Sequence, residues 1–341
     1  MKTKNKNNFF RGKSILITGG TGSLGKALTR YFLKNHPEID RLIIFSRDEQ
    51  KQFLMSQEFS VNEYPSIRYF IGDVRDQNRL MRAFNGVDFV IHCAAMKHVH
   101  IAEYNPEECI KTNINGAKNI INAALKSDVR KVVSLSTDKA SSPTNLYGAT
   151  KLTSDKLFVS ANNIKGKKDI NFSVVRYGNV MGSNGSVIPF FLKLKDKGKP
   201  LTITDPNMTR FNILLNEGVD LIIFALLNSI GGEIYVPKIP SYNVFDLAEA
   251  IDPGAEKKII GIRPGEKIHE EMISSIDSLN TIDIGDYFII LPDSNNKNKD
   301  LITKKFGTKF IEKGFCYNSF QNDNMLSVGE LKKLIESYDF S

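Results

Sequence analysis

Ser14-Ile15-Leu16-Ile17-Thr18 runs directly into Gly19-Gly20-Thr21-Gly22-Ser23-Leu24-Gly25. The first five residues are mostly apolar and rich in β-branched side chains, so they read as a buried strand. A helical pattern follows from Lys26 to Asn35. Gly19, Gly22 and Gly25 stand at G-x-x-G-x-x-G spacing between the two. Glycine lets the backbone approach a pyrophosphate, and the helix N-terminus adds N–H donors and the positive end of a dipole. A glycine cluster alone is only a turn. Between a buried strand and a helix in the first βαβ unit it predicts a dinucleotide site that includes Thr21, Ser23 and Leu24.

The next strands extend this reading. Arg41 to Phe45 is a second strand, ending in Ser46-Arg47-Asp48 with Lys51 one turn on. An acidic residue at this strand end commonly holds the ribose 2′-hydroxyl of NAD. A hydroxyl and a guanidinium stand here instead, and Arg binds phosphate bidentately, so NADP is expected over NAD. The plainer alternative is a solvated Arg47 paired with Asp48 or Glu49. A third strand, Ile67 to Ile71, leads to Asp73, placed with Val74 to meet the adenine amine. A fourth, Val87 to Cys93, runs into Ala94 and Ala95, small enough for the cofactor to pass close by.

Strand and helix patterns alternate up to about Arg176, which predicts an α/β fold: a doubly wound parallel Rossmann-type sheet. Helices are expected from Asn105-Pro106 to about Lys126 and around Tyr147 to about Ala161. Beyond this the elements shorten and carry more Gly, Pro and Asn. They predict a smaller C-terminal substrate-binding lobe, residues 181–341, over a cofactor-binding domain of residues 1–180. Within the lobe, Leu201 to Thr204 reads as a strand and Asn216 to Asn228 as a helix. Asp293 to Asp300 reads as a mobile polar loop.

The chemistry concentrates in Ser136-Thr137-Asp138-Lys139 and Tyr147-Gly148-Ala149-Thr150-Lys151. On a helix, Tyr147 and Lys151 lie one turn apart on one face. A neighbouring ammonium favours phenolate and lowers the Tyr pKa, giving a base for an alcohol proton. Asp138 and Lys139 add an acid and an amine. Singly, each of these has an ordinary reading as a surface ion pair, a packed aromatic or a solvated lysine. Together, after a strand of a nucleotide-binding sheet, they predict a catalytic site.

Composition sets the outer bounds. The 341 residues carry a net charge of +8, dispersed among many Lys and Asn. Zinc-ligand spacing, basic heptads and aromatic stripes are missing, so an anionic substrate and cofactor are expected in place of nucleic acid. The three cysteines, Cys93, Cys109 and Cys316, show no paired spacing, which points to a reducing compartment. Cys93 is expected in the core. Met1 to Arg11 has no signal-peptide character, and no apolar run reaches the ~18 residues of a membrane span. A cytoplasmic protein is expected. His92, His98, His100 and His269 show no metal-ligand spacing with acids, so no metal is predicted.

These stretches, with Ala94-Ala95-Met96-Lys97-His98-Val99, Ala102-Glu103-Tyr104-Asn105-Pro106, Arg176-Tyr177-Gly178-Asn179-Val180 and Arg263-Pro264-Gly265-Glu266-Lys267, closely resemble the extended short-chain dehydrogenase/reductase superfamily. Within it they are similar to the inverting nucleotide-sugar 4,6-dehydratases. The resemblance runs to about Leu291 and weakens beyond. It departs at Asn212, where the family usually carries Trp, and that bears on the shape of the sugar pocket.

The resemblance implies a UDP-N-acetylglucosamine or closely related UDP-hexosamine substrate, tightly held NADP and net loss of water. Retaining relatives carry Asp-Glu after the Thr, whereas Asp138-Lys139 marks the inverting group. Tyr147 then takes the C4 hydroxyl proton, Lys139 handles the C5 proton with a depressed pKa, and Asp138 protonates the departing 6-hydroxyl. Thr137 hydrogen-bonds the C4 oxygen or Tyr147. Arg263, with Pro264 and Gly265, is expected to grip the diphosphate, and Glu266 the ribose. Asn179, Lys97 and Arg210 face sugar or phosphate, and Leu201 and Thr202 the uracil edge. Tyr177 and Val180 meet the nicotinamide. Homo-oligomers, dimers or hexamers, are implied, as is a role in pseudaminic acid or related surface-glycan synthesis. Two alternatives stand beside this: a UDP-hexosamine 4-epimerase of the same superfamily, and a non-catalytic nucleotide- or RNA-binding protein.

Overall fold

The computed structural model describes residues 6–183, 185–292, 297–307 and 309–338. Its centre is a ten-stranded sheet. In chain order the strands are β1 (Ser14–Thr18), β2 (Arg41–Ser46), β3 (Ile67–Ile71), β4 (Phe89–His92), β5 (Lys131–Leu135) and β6 (Asn171–Val175), then β7 (Ile234–Pro237), β8 (Thr281–Asp283), β9 (Tyr287–Ile290) and β10 (Lys309–Phe310). Across the sheet they lie 10-8-9-7-6-5-4-1-2-3. Strands 3-2-1-4-5-6-7 pair in parallel, and β9, β8 and β10 add an antiparallel edge. The 3-2-1-4-5-6 order reverses direction beside β1, where a doubly wound sheet opens the crevice that takes a dinucleotide.

The buried strands are apolar on both faces, as a parallel sheet covered by helices requires. Leu16, Ile43 and Phe45 pack into one core with the helices that carry Ile120 and Phe158. Ile15, Ile17, Leu42 and Ile44 pack on the other face against Leu28, Phe32 and Leu226. A third core, around Ile188, Phe191, Leu201, Tyr242 and Leu247, belongs to the C-terminal lobe. That lobe holds the paired strands Leu201–Ile203 and Lys257–Ile259, and a three-stranded sheet of Asn179–Val180, Thr209–Ile213 and Ser241–Asn243. The chain beyond residue 180 also returns to the main sheet as β7 to β10, so both units draw on it.

Most predicted elements lie within a few residues of their observed bounds. The helix after Asn105 carries a π-helical turn, Lys111–Asn115, between Pro106–Ile110 and Gly116–Leu125. Of the predicted polar loop, positions 293–296 lie outside the described residues, while Lys297 to Asp300 open the helix Lys297–Phe306. Cys93 is only partly buried and borders the main cavity, because β4 ends at His92 and the chain then turns along the crevice. All three cysteines are free thiols.

Candidate active site

A cavity of about 1130 Å³ follows the carboxyl ends of the parallel strands. One end is the glycine turn. Gly19 takes a left-handed φ of 64°, and a Cβ there would stand 2.9 Å from the Ala94 backbone. A Cβ on Gly25 would lie 2.4 Å from the Gly20 carbonyl oxygen, so the helix Ser23–Asn35 seats on the turn only with glycine at this position. Gly22 caps that helix without a side-chain acceptor, leaving first-turn N–H groups without an intrahelical or side-chain partner, at residues that line the cavity. A glycine cradle with an uncapped helix start fits the phosphates of a dinucleotide.

At the end of β2, Ser46 is buried and accepts from Gln52, and Asp48 caps the helix Glu49–Glu58 by accepting from the Lys51 N–H at 2.9 Å. Lys51 Nζ lies 3.5 Å from the same carboxylate. The pairing of Arg47 with Asp48 or Glu49 is therefore not what the structure shows. Arg47 is exposed on the cavity wall, close enough to Asp73 to lower its pKa. Asp73 itself is held by Arg75 at 2.7 Å.

The other wall is built after β5. Ser136 N–H donates to Val175 at 2.7 Å and Asp138 N–H to Tyr177 at 3.1 Å, which lock this segment onto the end of β6. Asp138 is fully buried at the start of the 3-10 turn Asp138–Ala140. Its Oδ1 accepts from Thr137 at 2.9 Å and from Lys139 Nζ at 3.0 Å. Lys139 Nζ also donates to Asn179 at 3.3 Å and lies 3.1 Å from Glu270. Asn145 caps the helix Leu146–Ile164 through the Gly148 N–H, and this helix carries Tyr147 and Lys151.

The C-terminal lobe clamps this segment. Ser141 and Ser142 donate to Glu271 at 2.9 and 2.7 Å, and Lys267 Nζ donates to the Ser141 carbonyl at 2.6 Å. Thr144 and Asn145 both donate to the Gly265 carbonyl. Ser142 has φ 42°, the left-handed region that costs a non-glycine residue, and the Glu271 contact secures it.

The profile of the family described as "Polysaccharide biosynthesis protein" matches residues 15–292. The chain belongs to this family. It is 54% identical over 331 residues to the UDP-N-acetylglucosamine 4,6-dehydratase (inverting) of Campylobacter jejuni, spanning 96% of this chain and 98% of that one. The UDP-glucose 4-epimerase of Rickettsia canadensis is 40% identical over 97% of each chain. The solved structure of Pen from Bacillus thuringiensis superposes with a TM-score of 0.88 at 39% identity, covering 98% of this chain and 100% of that one. These matches, with the sheet order, place the family within the extended short-chain dehydrogenase/reductase superfamily.

Against this family frame, the cavity gathers nearly every residue singled out from sequence. Gly19, Thr21, Gly22, Ser23, Leu24, Gly25, Ser46, Arg47, Asp48, Lys51, Asp73, Val74, Ala94 and Ala95, the residues expected to hold a cofactor, line one end. Thr137, Lys139, Tyr147, Tyr177, Asn179 and Val180 line the middle, and Lys97, Thr202, Arg210, Arg263, Pro264, Gly265 and Glu266 the remainder. Three residues stand behind the wall. Asp138 sits beneath Lys139, and Lys151 donates to the Leu135 carbonyl. Leu201 packs into the lobe core, because alternate residues of a strand face opposite ways and Thr202 takes the cavity side. Arg263 pairs with Glu266 at 3.6 Å, while Arg210 donates to the carbonyls of Thr209, Ile268 and Lys267. Asn212 is buried, does not border the cavity, and pairs in register with Asn179, which does.

Two electrostatic expectations are corrected. Burial would lower the Lys139 pKa, but Asp138 and Glu270 outweigh it and raise it, so Lys139 is an ammonium. The Tyr147 hydroxyl is pushed up to about 12 by burial, and the cation that opposes this is Lys139. The Thr137 hydroxyl also opposes the rise at Tyr147, while burial lowers the Lys151 pKa. Burial, with help from Glu270, raises the Asp138 pKa.

Sequence reasoning missed three residues. Glu270 completes the Lys139 cluster. Asp155, fully buried one turn after Lys151, accepts from Ser136 at 2.7 Å and from Arg176 at 3.4 Å. Asn113, in the π-helical turn, accepts from the Met96 N–H at 2.9 Å and donates to its carbonyl at 3.0 Å, fixing the loop after β4. The spacing of Asp155 after Tyr147 and Lys151 was available in the sequence. The other two, Glu270 and Asn113, meet partners that no local pattern connects to them.

Proposed function

We propose that this chain is a hydro-lyase converting UDP-N-acetylglucosamine to a UDP-4-keto-6-deoxyhexosamine with inversion at C5. The product is UDP-2-acetamido-2,6-dideoxy-β-L-arabino-hex-4-ulose. The observation that carries this reading is the Asp138–Lys139 pair, 3.0 Å apart, with Lys139 and Tyr147 lining a cavity that also holds the glycine turn. Bound NAD(P), which we read as NADP from Arg47, supplies reversible hydride transfer.

The protein's own groups handle the protons. Tyr147 rests as a phenol, and once its own proton has passed to solvent the phenolate accepts the C4 hydroxyl proton. The resulting 4-ketone acidifies the C5 hydrogen. Lys139 begins as an ammonium and must first become an amine. Asp138, with its raised pKa at 3.0 Å, is placed to take that proton. One transfer therefore creates both a base for C5 and an acid for the departing C6 hydroxyl, which leaves as water. Lys139 takes the C5 proton, which exchanges with solvent before a proton is delivered to the opposite face of C5, inverting that centre. Arg263 and Arg210 supply positive charge for the diphosphate.

We further infer a place at the start of pseudaminic acid or related surface-glycan sugar synthesis, in the cytoplasm, as a homo-oligomer. In support, the described residues contain no helix long and apolar enough to cross a membrane. The test is incubation with UDP-N-acetylglucosamine in deuterium oxide, followed by NMR. A new C6 methyl group with deuterium at C5 is expected. A C4 epimer as sole product would support the epimerase reading carried by the name of the rickettsial relative.

A further inference from the structure

Glu270 is nearly inaccessible, at 2% exposure, and immediately precedes the strand Glu271–Ile273. Its backbone is held from both sides by one residue. The Glu270 N–H donates to Ser319 Oγ at 2.9 Å, and its carbonyl accepts from the Ser319 N–H at 2.8 Å. Ser319 is itself fully buried and shares a 2.7 Å hydrogen bond with Thr209. A carboxylate carried to a fixed point in the interior is costly unless a charge meets it there. Lys139 Nζ meets it at 3.1 Å and Arg210 Nε lies 3.9 Å away. Arg210 already donates to three backbone carbonyls, so it does not need Glu270 for orientation.

Seen from Lys139, the pattern is complete. Its three N–H donors face Asp138 at 3.0 Å, Glu270 at 3.1 Å and Asn179 at 3.3 Å. If the proton facing Asp138 crosses to that carboxylate, the other two N–H groups remain held by Glu270 and Asn179. The second oxygens of both acids, Asp138 Oδ2 and Glu270 Oε2, are buried without a hydrogen-bond partner. Neither carboxylate is therefore fully satisfied by the resting arrangement, as expected of groups poised around a mobile proton.

We propose that Glu270 is a positioning residue for the elimination: it holds the Lys139 nitrogen against Asp138, so that the proton passes between these two side chains and not to water. This deepens the dehydratase reading and rests on it. The proton leaves Lys139 as Asp138 gains it, and Glu270 keeps its charge throughout. The charged and titratable groups facing this cluster are Asp138, Lys139, Arg210 and Lys267, with Tyr147 and Tyr242 alongside.

The test compares Glu270→Gln and Glu270→Asp with the wild-type full chain, using UDP-N-acetylglucosamine. The readouts are kcat, KM, C5 hydrogen exchange with solvent deuterium, and the pH dependence of kcat/KM. Glu270→Gln should lower kcat and C5 exchange by about 10²-fold, the scale of a misplaced proton-transfer group, with KM nearly unchanged. Both limbs of its pH profile should move to lower pH, because the lost negative charge had favoured the protonated forms of Lys139 and Asp138. Glu270→Asp should restore the limb positions while kcat stays at least about tenfold low. Limbs that stay in place, or a loss carried by KM, overturn the proposal. If Glu270→Gln does not fold, wild-type kcat in Glu270→Asp overturns it equally. A wild-type chain that forms no 4-keto-6-deoxy product overturns the dehydratase reading, and this proposal with it.

Discussion

Lys151 Nζ donates to the backbone carbonyl of Leu135, the last residue of β5, tying the catalytic helix to the strand that leads into Asp138. The ammonium is buried, and burial lowers its pKa while Asp155 opposes the shift. Replacing it with a thioether removes a buried charge, which is often neutral or stabilising, and Asp155 keeps Ser136 and Arg176 as partners. Lys151→Met should therefore lose turnover by ~10²–10⁴-fold while unfolding free energy changes by less than about 1 kcal/mol. Parallel turnover and denaturant measurements check this. Unchanged turnover removes Lys151 from the chemistry.

The glycine turn makes an opposed pair of predictions. A Cβ at Gly25 would meet the Gly20 carbonyl oxygen at 2.4 Å, and backbone cannot yield as a flexible side chain can. Gly25→Ala should cost about 1–3 kcal/mol of stability and abolish cofactor binding. Gly329 has open space around the Cβ position and begins the second residue of the helix Val328–Ser337. Gly329→Ala should instead stabilise by about 0.4–1 kcal/mol, since it only restricts the unfolded chain. Thermal melts with and without NADP separate the two.

The parallel sheet was legible because its strands are short apolar runs whose periodicity survives in any context, and because Gly19, Gly22 and Gly25 stand where only a close backbone approach makes sense. The catalytic wall was legible because Thr137 to Lys151 is one continuous stretch. Charge states were not. Lys139 was expected to be a depressed amine, yet Asp138 beside it raises its pKa together with Glu270, 131 positions away in sequence, which no local pattern connects to it. Asp48 was read as a cofactor contact, and the structure shows it as a helix cap, a position where Asp is favoured for its side-chain acceptor. The antiparallel edge of β8, β9 and β10 escaped because these strands are short and lie outside the alternating pattern. The helix Val328–Ser337 escaped although its capping box, Ser327 with Glu330, was present in the sequence.

Arg47 offers a direct test of cofactor choice. It is exposed at the end of β2 and makes no hydrogen bond or ion pair among the described residues, while neighbouring Lys51 is engaged by Asp48. A phosphate on the adenosine ribose would gain charge-assisted hydrogen bonds of about 1.5–3 kcal/mol from a guanidinium. Arg47→Ala should weaken NADP binding by roughly 10- to 100-fold and leave NAD binding nearly unchanged. Isothermal titration calorimetry with both dinucleotides measures the ratio. Equal losses for the two would assign Arg47 to the shared part of the cofactor.

His92 predicts how stability responds to acid. It ends β4, is 2% exposed, and its Nδ1 lies 2.8 Å from Thr18 Oγ1. Thr18 Oγ1 also accepts from the Ala94 N–H at 3.3 Å, so its own hydrogen is directed to the imidazole, which then serves as acceptor. Burial, with Lys151 adding to it, lowers the His92 pKa from 6.5 to about 3. Above pH 6.5 the imidazole is neutral in both folded and unfolded chains and contributes no pH dependence. Below it the unfolded chain binds a proton that the folded chain refuses, so stability falls by about 1.4 kcal/mol per pH unit until the folded group titrates near 3. Between pH 7 and 5 this amounts to about 2 kcal/mol. His92→Asn keeps an acceptor for Thr18 but cannot protonate in this range. Its loss of unfolding free energy from pH 7 to 5 should be smaller than the wild type's by about that amount, as read by urea denaturation at both pH values. Equal losses in the two proteins would show that the folded chain accommodates a charged imidazole beside Thr18, against the burial argument.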